Sequence, residues 1–166
     1  MALYNREAAI RYAAKWALSR NPLYLDFENL GGDCTNFLSQ CLYAGIPEMN
    51  YGNSNGWYYL NSHSRSPSWA GVIFLFEFLV RNRSSGPRGQ RITADDARPG
   101  DVVQLGDSIK GFHHSLLVVS MRDGEIFVAA HSQDVWMKPL SEYGAELTRF
   151  LHIFGESDAQ EASPRF

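Results

Sequence analysis

The chain has 166 residues, of which 45% are hydrophobic and 20% are charged, and its formal net charge is −3. This length predicts a single domain, and so large a hydrophobic share excludes an intrinsically disordered chain. The small negative charge excludes proteins that bind nucleic acid through a basic surface.

The N-terminus carries no visible targeting signal. The segment from Met1 to Glu7 lacks a basic stretch followed by an apolar one, so we expect no signal peptide. The longest apolar stretch, Trp69 to Val80, is interrupted by Glu77 and has about half the length of a membrane span. We therefore expect no membrane span and a cytoplasmic location, or an extracytoplasmic one if a leader has been removed. No feature of the pattern indicates the oligomeric state.

Two helices are predicted in the N-terminal part of the chain. Tyr4 to Arg20 has apolar residues at helical spacing, and Asn21-Pro22 ends it. Gly31-Gly32-Asp33 predicts a tight turn into a second helix, Cys34 to Ala44. Asp33 is the expected N-cap of that helix and Gly45 its terminator.

The next segment, residues 46–68, is rich in Asn, Gly, Ser, Tyr and Pro, which predicts a long ordered loop. Its aromatic residues are Tyr51, Trp57, Tyr58 and Tyr59. They indicate a loop that packs over other residues, as lids and substrate walls do. A third helix is expected after Ser66-Pro67 and carries Trp69 to Val80, and residues 81–91 are typical of a solvated connector.

The second half of the chain has the pattern of an antiparallel sheet. The predicted strands are Asp101–Leu105, Ser115–Met121, Ile126–Ala130 and Arg149–Phe154, with a hairpin turn over Arg122–Glu125. Helices followed by an antiparallel sheet indicate the α+β class. The domain is expected to cover residues 1–155, and the tail from Glu156 onward is expected to be disordered.

Cys34 is the first candidate for a chemical role. At the start of a helix, free N–H groups and the helix dipole stabilise a thiolate, which predicts a lowered pKa for this thiol. A buried, unreactive cysteine is the alternative interpretation. Cys41 is expected in the core, and on one helix the two residues lie about 10.5 Å apart, which exceeds the roughly 7 Å limit for a disulfide.

Two histidines extend this interpretation. If Met121 faces Ile126 across the hairpin, then His131 and His114 lie on the same face of the sheet. A general base and an orienting partner beside a cysteine form the arrangement of nucleophilic catalysis. His113 points to the opposite face in this register. The alternative is that these histidines are ordinary polar residues at strand ends.

Several runs of the sequence together form a recognisable pattern: Tyr4-Asn5-Arg6-Glu7-Ala8-Ala9, Tyr12-Ala13, Asn21-Pro22, Tyr24, Gly31-Gly32-Asp33-Cys34-Thr35-Asn36-Phe37-Leu38-Ser39-Gln40, Pro99-Gly100-Asp101-Val102-Val103-Gln104, His114-Ser115, and His131-Ser132 with Asp134. Through these runs the sequence resembles the "putative amidase domain" family of bacteria over residues 4 to 154. That family is similar to the NlpC-type and CHAP-type papain-like cysteine amidohydrolases. The resemblance implies a papain-like fold, with N-terminal helices packed on a C-terminal antiparallel sheet or partial barrel.

The same resemblance implies roles for individual residues. Cys34 matches the nucleophile and His114 the base, while His131 matches the third, orienting position and Asp134 is the fallback for it. Asp33 matches an aspartate that holds a substrate amine in NlpC-type relatives, although it could equally be a simple N-cap.

The oxyanion site has weaker candidates. Papain has an oxyanion glutamine six residues before its cysteine, and this chain has Glu28 there. The backbone N–H of Cys34 and the side chain of Tyr24 are the alternatives for the oxyanion. Trp57, from the aromatic loop, is a candidate substrate contact.

These assignments predict a thiol amidohydrolase that acts through an acyl-thioester and needs no cofactor. The resemblance implies a peptide-like amide as its substrate, with peptidoglycan as one source of such an amide. A catalytically inactive module that binds peptide or cell wall is the second hypothesis. A metal site formed by Cys34, His114 and His131 is the third, although the spacing typical of metal ligands is missing.

Overall fold

Four α-helices lie on one face of a six-stranded antiparallel sheet, in an α+β arrangement, within the part of the chain that the structure describes. The structure is a computed structural model, and it describes residues 2–52 and 54–157. None of its helices is long and apolar enough to cross a membrane within these residues. The predicted fold class is confirmed at this level.

Over residues 2–52 and 54–157, the four helices precede the six strands of the large sheet along the chain, and three short strands lie before or between the helices. The helices are α1 (Arg6–Trp16), α2 (Cys34–Gly45), α3 (Pro67–Ala70) and α4 (Val72–Arg81). The strands are β1 (Ala2–Leu3), β2 (Tyr59–Asn61), β3 (Ser64–Arg65), β4 (Arg88–Ile92), β5 (Val102–Asp107), β6 (Gly111–Arg122), β7 (Glu125–Ala130), β8 (Val135–Pro139), β9 (Leu147–Phe154) and β10 (Glu156–Ser157). The large sheet has the order β4-β9-β5-β6-β7-β8, and β1 pairs with β10 and β2 with β3.

Helix α1 is shorter at both ends than the predicted Tyr4–Arg20. The Asn5 side chain accepts a hydrogen bond from the N–H of Ala8 and caps the helix. Tyr4 stays outside the helix because its N–H donates to Gly155 and its hydroxyl to Gly100. The chain leaves the helix after Trp16, before the predicted stop.

Helix α2 is confirmed close to its predicted bounds and is buried on nearly every side. It packs against α1, α3 and the middle of β6. A helix covered in this way is apolar around most of its circumference, as the run Phe37-Leu38 and Cys41-Leu42 is. Cys34 is the first residue of this central helix.

The third predicted helix is two helices, because Gly71 has an extended backbone that separates α3 from α4. Helix α3 buries Trp69 completely. The carbonyl of Val72, at the start of α4, accepts a hydrogen bond from Gln104 in the sheet. Because of this break, α3 buries the indole of Trp69 and the first residue of α4 bonds to the sheet.

Several predicted loops contain strands. The segment 46–68 includes the short hairpin of β2 and β3, and the predicted connector 81–91 contains most of β4, a polar edge strand. Glu156–Ser157 pairs with Ala2–Leu3, so the predicted disorder is wrong for these two residues. Residues 158–166, the rest of the predicted tail, lie outside the described residues.

A β-bulge at Val119 changes the register of the central hairpin. Met121 faces Ile126 as predicted, but Leu117 faces Ala129 instead of Ala130. A shift of one residue moves every side chain beyond it to the opposite face of the sheet. This shift decides where the two histidines of the hairpin point.

The two faces of the sheet carry separate hydrophobic clusters. Val102, Leu117 and Leu151 face the helices and join the larger core. Val103 and Leu116 face the other way, into a smaller cluster that the segment containing Leu140 and Tyr143 partly covers. The helix-covered face is therefore the thicker and drier of the two.

A buried ion pair joins α1 to the sheet. The Arg6 guanidinium donates to Asp101, 2.8 Å away, and to the backbone oxygens of Pro99 and Ile153. Asp101 is fully buried and also accepts from the N–H groups of Arg98 and Ile153. The Pro-Gly-Asp run of the sequence thus serves to attach α1.

Replacing Arg6 by Met should lower the free energy of unfolding by about 3 kcal/mol, because it leaves the Asp101 carboxylate buried without its counter-charge. Urea denaturation measures this change. Arg11→Met is the control, since Arg11 forms an exposed pair with Glu7 3.6 Å away and should stay within about 0.5 kcal/mol of wild type. Equal losses in the two variants would contradict a structural role for the buried pair.

Candidate active site

The Cys34 thiol lies between the first turn of α2 and strand β6. Only 7% of this residue is exposed. The sulfur is 3.8 Å from the Thr35 hydroxyl, and the backbone N–H groups of Thr35 and Ser115 donate toward it. Ser115 directly follows His114 in the strand, so the thiol lies next to the strand residue predicted to carry the base.

Burial raises the pKa of the Cys34 thiol above its ordinary value. Three nearby donors, the two N–H groups and the Thr35 hydroxyl, lower it, and the Asp33 carboxylate raises it further. The lowered pKa expected from the helix N-terminus is therefore wrong, because loss of hydration outweighs the donors at this depth. The resting sulfur is a neutral thiol.

The thiol lies beside a part of the β6 edge that has no neighbouring strand among the described residues. Strand β7 pairs with β6 as far as Leu117 and Ala129 and ends at Ala130. Beyond that point no residue of β7 pairs with Ser115, and the Cys34 sulfur lies near the Ser115 N–H. A thiol at a strand edge is close to side chains that leave the strand on either face.

His114 lies on the face of the sheet that is turned away from the helices. It alternates with Leu116 and Val118 of the smaller cluster, and its ring is 5.8 Å from that of Tyr143. Burial lowers the pKa of His114 to about 4, and the nearby charges of His113 and Lys138 lower it further. In the described part of the chain, neither ring nitrogen has a hydrogen-bond partner. The imidazole is therefore a neutral base with both nitrogens open.

His131 lies on the helix-covered face, so the prediction that it shares a face with His114 is wrong. The bulge at Val119 causes this difference. The ring stacks on Phe37, with 4.0 Å between centroids, and its nitrogens contact the Asp33 carboxylate and the Trp16 carbonyl. Both nitrogens are engaged there, which is better explained by anchoring than by orienting a catalytic base.

Asp33 occupies the N-cap position of α2, but its side chain makes no capping hydrogen bond. Its buried carboxylate accepts from the N–H of Phe27 and the amide of Asn36, both at 2.8 Å, and contacts His131. These partners leave the carboxylate little capacity for a substrate amine. Asp33 is therefore better explained as the anchor of the loop before Cys34.

Arg20 binds the same loop from outside, and no pattern in the sequence indicates this role. Its guanidinium makes two hydrogen bonds to Asp134, at 2.7 and 3.1 Å, and lies 3.2 Å from Asp26. Glu28 and Asp33 are each 3.6 Å away. Asp134 is thus committed to Arg20, which explains it better than the fallback role beside His114.

Position 32 of this loop requires a glycine, because a side chain does not fit there. The φ of Gly32 is +106°, in the region that favours glycine, and a Cβ would lie 3.2 Å from the Ser132 hydroxyl. That hydroxyl accepts from the Asp33 N–H and donates to Glu28. The Gly-Gly-Asp turn is therefore fixed by the segment that follows β7, and Glu28 takes part in it as a surface contact.

Trp57 is completely buried, so the expected substrate contact is wrong. Its indole N–H donates to Ser39 of α2 at 3.0 Å. Tyr24 packs against Tyr59 and Trp69, with centroid distances of 5.1 and 5.9 Å, and burial raises its pKa to about 12. Trp57 and Tyr59 of the aromatic loop are thus core residues, whereas Tyr51 is exposed. No contact places the Tyr24 hydroxyl beside Cys34 in the described residues.

An open cleft of about 560 Å³ begins at the loop before Cys34. Gly31 and Gly32 form one side, and His63 and Arg65 of the β2–β3 hairpin lie on the other. A second groove, of about 500 Å³, lies against α4, and neither cavity is lined by Cys34 or His114. The first cleft is the nearer approach to the thiol along the chain.

Comparison with known proteins places this chain in a family. Residues 3–154 match the family model described as "Putative amidase domain". The chain belongs to this amidase-domain family. It is also 34% identical over 139 residues to "Uncharacterized protein YhbB" of Bacillus subtilis (strain 168), a match that covers 81% of this chain and 43% of the relative. The chain thus spans less than half the length of that relative, and no solved structure matches it.

Three fully buried polar residues of the amidase domain, Thr35, Gln104 and Ser115, lie in runs that carry the family resemblance, but no sequence pattern assigns them a role. Arg149, which is half-buried and donates to Gln104, has no such signal in the sequence. No group of three or more His, Cys, Asp or Glu side chains is arranged to hold a metal ion among the described residues.

His114 should titrate with a midpoint near pH 4 in the folded amidase domain, as followed by its ring proton signals in NMR spectra. An unfolded histidine has a pKa of about 6.5, so the unfolded chain takes up this proton first as the pH falls. The stability that His114 contributes is therefore complete above about pH 6.5 and is lost as the pH falls to about 4, by about 3 kcal/mol in all.

The control is His114→Gln, which should lose this part of the pH dependence of unfolding and keep the rest. A midpoint near 6.5 for His114 would contradict its desolvated position against Tyr143.

Proposed function

We propose that this amidase domain is a cysteine-dependent amidohydrolase, with Cys34 as nucleophile and His114 as general base, acting on a peptide-like amide. One observation carries the proposal: the Thr35 and Ser115 hydroxyls are 2.9 Å apart, so the first turn of α2, which begins at Cys34, is bonded to the residue next to His114. The membership of the chain in an amidase-domain family supports the reaction class.

The charge states favour general-base chemistry over a preformed thiolate. Burial keeps Cys34 protonated and His114 neutral at pH 7. His114 removes the thiol proton as sulfur attacks the amide carbon, and the resulting imidazolium returns the proton to the departing amine. Water, deprotonated by His114, then cleaves the acyl-thioester and releases the acid and the free thiol.

The base role requires one movement within the site. The imidazole has to leave the ring of Tyr143 and turn toward the β6 edge, where the sulfur lies. No hydrogen bond holds it in its present position in the described residues. Catalytic hydrogen bonds are often unformed until substrate binds.

A backbone N–H is the best candidate for the oxyanion donor. The first N–H groups of a helix have no partner within it. Cys34 is the first residue of α2, and no acceptor is recorded for its N–H in the described part of the chain. A carbonyl oxygen attacked by this sulfur would find that donor in the same residue.

The layout also supports a relationship with the NlpC-type and CHAP-type enzymes. A cysteine opens a central helix that packs on an antiparallel sheet, and a histidine lies near the start of a neighbouring strand. We infer a papain-like domain from this layout and a peptide of peptidoglycan type as the substrate class.

A module that binds the same ligands without turnover is the second candidate. The observation that favours it is the separation of the two reacting groups, since His114 faces the smaller cluster while the thiol is protonated and 7% exposed. Such a domain would retain the cleft beside Gly31 and Gly32 and lack hydrolysis.

Cys34→Ala should reduce hydrolysis of peptide p-nitroanilides or purified peptidoglycan by about 1,000-fold or more, because the nucleophile is lost. His114→Gln should reduce kcat by about 100- to 10,000-fold. Release of nitroaniline and of new amino groups measures the two substrates. Cys41→Ala is the matched control, a second buried cysteine on the same helix, and should retain activity per folded molecule.

Two results would contradict this function. Hydrolysis by Cys34→Ala at the wild-type rate would show that Cys34 is not the nucleophile. A wild-type protein that binds peptidoglycan, hydrolyses none of the probes and binds equally well as Cys34→Ser would support the binding module instead.

A further inference from the structure

A continuous run of hydrogen-bonded side chains leads from Arg149 to the Cys34 thiol. Arg149 donates twice to the Gln104 side-chain oxygen, from Nε at 2.9 Å and from a terminal nitrogen. The Gln104 amide donates to Ser115 at 3.1 Å, and the Ser115 and Thr35 hydroxyls are 2.9 Å apart. Thr35 in turn contacts the sulfur of Cys34. Gln104, Ser115 and Thr35 are fully buried, so water does not compete within this run.

The chemistry of the first member fixes the direction of every bond in the run. A guanidinium has only donors, so the oxygen of the Gln104 amide must face Arg149 and its NH₂ must face Ser115. Ser115 therefore accepts from Gln104, and Thr35 is the acceptor left for its own proton among the described residues. The Thr35 hydroxyl, having accepted from Ser115, has its proton free for the sulfur of Cys34.

Arg149 is held firmly enough to impose this direction. Its guanidinium lies between the rings of Phe76 and Phe112, 3.5 and 3.9 Å from their centroids. Burial and the neighbouring Arg91 lower its pKa to about 10, which leaves it a cation at neutral pH. A charged donor at the end of a buried run polarises the bonds that follow it.

The direction matters because a hydroxyl beside a thiol can act in two opposite ways. If Thr35 accepts from the S–H group, it stabilises the neutral thiol. If Thr35 donates to sulfur, it stabilises negative charge there, as the N–H groups of Thr35 and Ser115 also do. The side chains of Gln104, Ser115 and Thr35 therefore oppose or assist attack by the sulfur according to the orientation of their protons.

We propose that Arg149 and Gln104 are positioning residues that orient Ser115 and Thr35 so that the Thr35 hydroxyl donates to the Cys34 sulfur and stabilises the charge that develops on it during attack. The proposal deepens the proposed function and rests on it for its catalytic meaning. Its physical content, a directed donor run ending on sulfur, concerns the thiol itself and can be measured without a substrate.

Five variants separate the steps of this run. Thr35→Val removes the terminal donor at constant shape, and Thr35→Ser retains it. Arg149→Met removes the cation that fixes the Gln104 amide. Gln104→Glu accepts from both neighbours, so Ser115 and Thr35 turn their protons away from sulfur. Arg91→Met is the matched control, because it removes a neighbouring charge that makes no hydrogen bond in the run.

The measurement is the rate of Cys34 alkylation by iodoacetamide as a function of pH, read on the Cys34 peptide by mass spectrometry so that Cys41 is counted separately. Thr35→Val should move the midpoint of the profile upward by about one pH unit, which is about tenfold slower alkylation below the midpoint. Arg149→Met and Gln104→Glu should move it in the same direction. Thr35→Ser and Arg91→Met should coincide with wild type.

Two outcomes would overturn the proposal. A wild-type midpoint in Thr35→Val would show that the hydroxyl does not donate to sulfur. A shifted midpoint in Thr35→Val with wild-type midpoints in Arg149→Met and Gln104→Glu would remove the positioning role. If Arg149→Met does not fold, as judged by circular dichroism, Gln104→Glu decides this second point. Shifted midpoints in a protein that hydrolyses no amide would overturn the proposed function and leave the donor run standing.

Discussion

The hydrogen bond between the hydroxyls of Thr35 and Ser115 ties the first turn of α2 to strand β6, and the position of the Cys34 thiol depends on it. Both residues are fully buried, so this contact forms away from water, where an unpaired hydroxyl is costly. On the other side of the turn, the Asp33 carboxylate holds the loop through Phe27 and His131. The thiol is thus fixed from the sheet and from the loop, and its own side chain has little freedom.

Burial has opposite effects on the two proposed reacting groups, and both effects favour neutral forms. It raises the pKa of the Cys34 thiol and lowers that of the His114 imidazole. In a neutral pair of this kind the thiol proton moves to the imidazole during attack, so no thiolate is present beforehand. The donors around sulfur then matter most in the transition state, which is where Arg149 and Gln104 would act.

Local patterns predicted the elements whose contacts are mostly local. Helix α2 and the hairpin turn over Arg122–Glu125 follow their sequence signals. The bulge at Val119 leaves no such signal, because it depends on how two strands pack against the rest of the sheet. It reversed the expected face of His131, whose real partner, Asp33, is far away in sequence. The predicted role of Trp57 as a substrate contact is wrong for a related reason, since a run rich in polar residues can still bury a tryptophan.

The central claim is that the Cys34 sulfur forms a covalent bond to the substrate acyl group. The most direct measurement is an acid quench of the protein during turnover of a peptide p-nitrophenyl ester, an activated analogue of the amide, followed by mass spectrometry of the intact chain and its peptides. One added acyl group is expected, located on the peptide that contains Cys34 and released by hydroxylamine, as a thioester is. Turnover with no acyl group on the chain, or with the group on another residue, would contradict it.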